Sequence, residues 1–147
     1  MFSNCGVYGQ RTDEIMARLD DCARGTDMLL VQGGINDIAQ GRSVDDAARN
    51  LRTMVRRGKE LGLRVAVIDV LPWNNGWPEA EPKIRRLNAL IAELARDESV
   101  PLVPFHDRLE DPDSPGRIRA DWTSDGDHPS VEGYRQLGEV VARLAGL

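Results

Sequence analysis

Apolar positions in this chain change period several times. From Thr12 to about Arg24, the residues Ile15, Met16, Leu19 and Cys22 recur at helical spacing on one face. Met28 to Gln32, "MLLVQ", is a short apolar run ending at Gly33-Gly34, the pattern of a strand buried on both faces. Ser43-Val44-Asp45-Asp46 resembles a capping box with Asp in place of the usual Glu. The helix it opens runs to about Leu61 and stops at Gly62. Arg64 to Val70, "RVAVIDV", is the next buried strand, and a loop rich in Pro, Asn and Gly follows from Leu71 to Pro82. Pro82 suits the first position of a helix ending near Asp97. Val100 to Val103 is a short strand. The stretch from Phe105 to Pro129 reads as mostly irregular, long enough to suggest a functional loop. Ser130 caps a last helix carrying Val131, Tyr134, Leu137, Val140, Val141 and Leu144.

Alternating helices and buried strands predict a three-layer α/β/α domain with a mainly parallel sheet. In such sheets ligands collect beyond the carboxyl ends of the strands. Gly9, Gly34-Ile35-Asn36-Asp37, Trp73 and the 125–129 run fall at such places.

Composition narrows the picture. A length of 147 residues fits one domain spanning 1–147. A net charge of −5 argues against a general nucleic-acid-binding surface. No apolar run approaches the roughly 20 residues needed to span a bilayer. The start, "MFSNCGVYGQ", lacks the basic and apolar regions of a signal peptide, so the cytoplasm is the default compartment and secretion stays open. Cys5 and Cys22 form neither a disulfide framework nor a zinc spacing, and Cys22 falls on the apolar face of its helix. Arg49, Arg52, Arg56, Arg57 and Lys59 read as a solvated helix face.

Three short stretches carry candidate chemistry. In "GGINDIAQG" an apolar strand ends in two glycines, and the Asn36 amide can donate to a developing oxyanion. The competing reading is a turn in which Asn36 and Asp37 bond their own backbone. In "NCGVYGQRTDEI" glycines precede a helix N-terminus, where the Gly9 N–H can join the same anion site. In "DGDHPS" Asp125 and His128 stand three apart, close enough in one helix-like turn to touch. A carboxylate on Nδ1–H leaves Nε2 as a base, and Asp127 points elsewhere. The rival here is a polar loop before a helix. A metal is not expected, because His106-Asp107 is the only other His–carboxylate pair and catalytic zinc generally needs three protein ligands. His106 is taken as structural, and no cofactor is implied.

In this order on an α/β pattern, the motifs resemble those of the SGNH hydrolases, the GDSL-like serine esterases and lipases. Gly6-Val7-Tyr8-Gly9 with Thr12 is similar to the family's second block. Gly34-Ile35-Asn36-Asp37 is similar to the third, and Asp125-Gly126-Asp127-His128-Pro129 to the fifth. The resemblance implies a carboxylic ester hydrolase with His128 as general base and then acid, and Asp125 as its orienter. Gly9 and Asn36 would be the oxyanion donors, and a small ester or acyl compound the substrate. Trp73 and Trp122 are candidate walls of the substrate cleft.

The departure is the nucleophile. The family's first block, Gly-Asp-Ser, occurs nowhere in the 147 residues. The resemblance therefore implies a chain lacking the family's first strand and helix. Cys5, beside a helix N-terminus, is one substitute nucleophile, and Ser3 and Ser124 are others. In the family layout the first strand lies beside the 28–32 strand, whose apolar edge would then be open to pairing. The expected partner is a second copy or a complementing segment on that edge. The rival functions are a catalytically inactive relative acting as a binding module, and a flavodoxin-like regulatory domain.

Overall fold

The computed structural model describes residues 2–145. Three parallel strands form the central sheet in the order β1 (Met28–Val31), β2 (Arg64–Ile68), β3 (Leu102–Val103). Register pairs Met28 with Arg64 and Val31 with Val67 on one side, and Ile68 with Val103 on the other. Successive side chains of a strand point to opposite faces, and here both faces are covered. Leu29, Val31, Val65 and Val67 face a core built with α4 (Val44–Glu60) and α5 (Ala80–Asp97). Met28, Leu30, Ala66 and Ile68 face a second core shared with α6 (Phe105–Leu109) and α7 (Val131–Ala145). The two parallel crossovers place α4 and α5 on one side, as the common handedness of such connections requires. The result is the α/β/α arrangement expected from the apolar pattern. Among the described residues, β1 pairs only with β2, so its other edge has no strand partner.

Several local expectations are corrected. The helix foreseen over 12–24 is two, α1 (Thr12–Ala17) and α2 (Leu19–Ala23), because the Arg18 N–H bonds the Ile15 carbonyl in a tightened turn. The Gly33–Gly41 stretch holds a short helix, α3 (Ile35–Ala39). The α5 helix begins at Ala80, so Pro82 is its third residue. A helix leaves its first N–H groups unpartnered, so proline is tolerated there. The supposedly irregular 105–129 stretch contains α6, a hairpin of β4 (Glu110–Asp111) and β5 (Ser114–Ile118), and a 3-10 turn at Ala120–Trp122. The α6 helix is capped from far away in sequence: Asp69 accepts from the His106 N–H at 2.8 Å. Apolar periodicity carries no trace of that contact.

The basic face of α4 is not simply solvated. Arg52 and Arg56 reach Asp97 and Glu98 at the C-terminal end of α5, and Arg57 reaches Asp20 of α2. Such exposed pairs contribute little each, but they tie neighbouring helices in register. The cysteines are also corrected. Cys5 and Cys22 form a disulfide with Cα atoms 5.9 Å apart. Cys5 is then no free thiol, and it cannot attack as a nucleophile while the bond stands.

Candidate active site

The 125–128 turn is built around one carboxylate. Asp125 Oδ1 accepts from the backbone N–H groups of Asp127 and His128, each at 2.8 Å, and Oδ2 meets His128 Nδ1 at 2.8 Å. Those backbone donors and the imidazole hold the Asp125 carboxyl well below the usual carboxylate range. It therefore carries its charge at neutral pH. Thr123 closes the turn, accepting from the Gly126 N–H and donating to the His128 carbonyl. The imidazole is 60% exposed, and no described residue hydrogen-bonds its Nε2. The ring is thus oriented on one side and open on the other.

The loop after β2 clamps this turn. Trp73 Nε1 donates to Asp127 at 2.7 Å, and Asn75 donates to both Asp127 and the Asp125 carbonyl. The Asn74 N–H donates to the Gly126 carbonyl, and the Asn74 side chain accepts from the Ile118 N–H. Asp127 does point away from His128, as the spacing suggested, and towards a partner that spacing cannot reveal. Trp73 also packs edge-on against Trp77, with ring centres 5.3 Å apart. Trp122 is placed differently. Its ring packs against the α6–α7 core, with the Arg119 guanidinium 4.5 Å from its centre.

A second cluster lies at the end of β1. The Asn36 amide donates to the Gln10 carbonyl at 3.0 Å, and Gln40 donates to the Gly9 carbonyl at 3.2 Å. Gly9 sits at φ 78, a left-handed turn that glycine adopts without cost. Asn36 uses one amide hydrogen on Gln10 and retains the other. Gly9 and Asn36 are therefore brought together, with Gln10 between them. Asp37 is not a turn-former either. It is buried and accepts from the Thr12 N–H at 2.9 Å and the Thr12 hydroxyl at 2.7 Å, which in turn accepts from Asn50. This fastens the start of α1, which follows the Gly9 turn, to α3 and α4. The exits of β1 and β2 are packed together through Gly34. A Cβ there would lie 2.5 Å from Leu87 and 3.5 Å from Val70, whose backbone is held by both ends of the Asn88 amide.

Sequence reading missed Asn74, Asn75, Thr123, Gln10 and Asn88. The paired asparagines after Trp73 were the available signal, since Asn side chains readily bond nearby backbone. None of the serines is hydrogen-bonded to His128 among the described residues; Ser43 and Ser130 instead serve helix starts.

The buried His106 stands apart from this site. Its Nδ1 lies 3.7 Å from Asp107 and 3.8 Å from Glu110, and its Nε2 has no partner among the described residues. Glu110 already serves Arg85 and the Gly116 N–H, which leaves little of it for a cation. Burial pushes the neighbouring Asp69 carboxyl up to about 6, with the Asp107 charge adding to the shift. The folded state thus holds this proton more tightly than the unfolded chain. Stability tied to Asp69 is full below about pH 4 and is lost as pH rises through about 6. Asp69→Asn keeps an acceptor for His106 and is expected to remove that decline, which amounts to at most about 3 kcal/mol. Urea unfolding of both proteins from pH 4 to pH 7 measures it. Equal pH slopes for the two proteins would show that Asp69 does not set the decline.

Fold and site together define a parallel α/β domain with a carboxylate-oriented imidazole, and with Asn36 and the Gly9 turn linked through Gln10 near the end of β1. Residues 2–136 match the model of the GDSL-like lipase/acylhydrolase family, and the chain belongs to that family of hydrolases. Solved structures agree in fold. A GDSL-like lipase from Bacteroides thetaiotaomicron superposes with a TM-score of 0.85 at 23% identity, over 92% of this chain and 70% of that one. A catalytic mutant of an acetylxylan esterase from Geobacillus stearothermophilus superposes with a TM-score of 0.79 at 18% identity, over 98% of this chain and 71% of that one. No curated protein sequence matches.

Proposed function

We propose that the 125–128 turn is the acid–base half of an ester hydrolase acting on small carboxylic esters. The observation that carries this is the 2.8 Å contact between Asp125 and His128 Nδ1, with Nε2 left to the solvent side. Nε2 takes the proton of the attacking hydroxyl and returns it to the leaving alcohol. Asp125 fixes the tautomer and stabilises the imidazolium. The Gly9 N–H and the remaining amide hydrogen of Asn36 receive the oxyanion. Family membership supports an ester substrate, and the acetylxylan esterase of like fold is consistent with a small acyl group.

The attacking serine is contributed by a complementing segment that carries the Gly-Asp-Ser block and joins the unpaired edge of β1. An apolar strand with an open row of backbone donors and acceptors favours such pairing. The absence of any serine hydrogen-bonded to His128 among the described residues also favours a second reading, a non-catalytic relative that binds a ligand or partner.

Hydrolysis of p-nitrophenyl acetate, measured on fractions resolved by sedimentation, separates them. The hydrolase reading expects turnover in the associated species, lowered about 10^3-fold or more by His128→Ala. Absent turnover, or turnover indifferent to His128→Ala, sinks it for this chain. Turnover by a monomer sinks the borrowed serine.

A further inference from the structure

The N-terminal segment runs extended to the Gly9 turn, and few contacts hold it. Phe2, Val7 and Tyr8 are exposed, and among the described residues the Asn4 side chain bonds only the nearby Gly6 N–H. Among the described residues, beyond the turn bond from the Gln10 N–H to the Val7 carbonyl, residues 2–8 are attached to the body by the Cys5–Cys22 disulfide to α2 and by the Arg18 guanidinium, which donates to the Cys5 carbonyl at 3.0 Å. Arg18 also donates to the Gln10 side chain at 2.7 and 3.0 Å, so one guanidinium spans the disulfide and the residue that Asn36 grips. The same group lies 3.3 Å from the Cys22 sulfur and 3.8 Å from the Cys5 sulfur. Cys5 is exposed and Cys22 half-buried.

We infer that Cys5–Cys22 is a thiol–disulfide exchange site whose state sets the order of the turn bearing Gly9. The co-reactant is a dithiol reductant. Its thiolate attacks the exposed Cys5 sulfur, the S–S bond breaks, and Cys22 leaves as a thiolate beside Arg18. The second thiol of the reductant then displaces Cys5 from the mixed disulfide. The reductant loses two electrons and becomes a disulfide, and its two protons end on Cys5 and on Cys22 or solvent. A cation 3.3 Å from the leaving sulfur stabilises the thiolate, which favours the reduced form and speeds its release. An unassisted structural disulfide resists reduction by cellular thiols; this one is exposed and assisted. Once it opens, a closed loop with a sequence separation of 17 gains freedom, and the segment before Gly9 is left to the Arg18 contact and the Gln10–Val7 turn bond.

The exchange site does not depend on the hydrolytic reading; only its effect on an oxyanion rests on that reading. The test therefore reads backbone order and not turnover. Amide hydrogen exchange is followed in the oxidised protein, in graded ratios of reduced to oxidised dithiothreitol, and in Cys5→Ser. Reduction is expected to raise exchange at the hydrogen-bonded Gly6 and Gln10 amides at least tenfold while β2 and α5 stay protected. Cys5→Ser should match the reduced protein at every ratio. Arg18→Gln should require a more reducing ratio, by roughly tenfold, for the same midpoint. Unchanged exchange at the Gly6 and Gln10 amides on reduction overturns the inference, and so does exchange that rises throughout the sheet. An Arg18→Gln midpoint equal to wild type overturns the role of the guanidinium.

Discussion

Asp125→Asn is expected to cut His128-dependent hydrolysis by roughly 10^4-fold while leaving the fold intact. The asparagine Oδ1 keeps both backbone bonds now made to residues 127 and 128, so the turn survives. What changes is the other oxygen, now facing His128 Nδ1. An amide NH2 there donates instead of accepting and drives the imidazole proton onto Nε2, the atom that must act as base. It also removes the charge that stabilises an imidazolium. The measurement is kcat/KM for p-nitrophenyl acetate beside the thermal unfolding midpoint. A large loss of rate at an unchanged midpoint is the expected pair of results. Combined with His128→Ala, the losses should not add, because the two residues act as one unit. A rate within tenfold of wild type would remove Asp125 from the mechanism.

Gly34→Ala is expected to destabilise the protein by about 2–4 kcal/mol. Two costs combine. The backbone at φ 121 is one that a side chain rarely adopts, and the new Cβ would fall 2.5 Å from Leu87 Cδ2. Leu87 is fully buried in the α4–α5 core, so shifting its methyl disturbs packed neighbours. Shortening it, as in Gly34→Ala with Leu87→Val, should recover part of the loss, so the pair should be less damaging than the sum of its members. Urea midpoints of the four proteins give the coupling. Strict additivity would show that backbone strain alone carries the effect. Because Gly34 leads directly into α3, the single variant should also displace Asn36.

The sheet was legible because its strands contribute side chains to cores on both faces, and an unbroken apolar run such as 65–68 admits few other readings. The long helices were legible because α4 and α5 keep one apolar stripe each. Asp125 and His128 were legible because their contact is local, three residues apart. What escaped is held by contacts distant in sequence. The α6 helix depends on Asp69, 37 residues earlier, and the first turn of α1 depends on Asp37, 25 residues later. Cys5 and Cys22 were read as unpaired because two cysteines alone set no framework. Only the fold of the chain between them shows that the sulfurs meet.

The clamp between the Trp73–Asn75 loop and the 125–127 turn has an evolutionary consequence. A loop beside a catalytic turn is the ordinary place to vary when a hydrolase acquires a new acyl preference. Here the same few side chains would form the wall of the cleft and hold the imidazole's support. Remodelling the wall therefore retunes the proton-transfer geometry in the same step, and selection on one property is dragged by the other. Drift at 73–75 should be slow, and new specificities should arise first in segments that do not grip the turn.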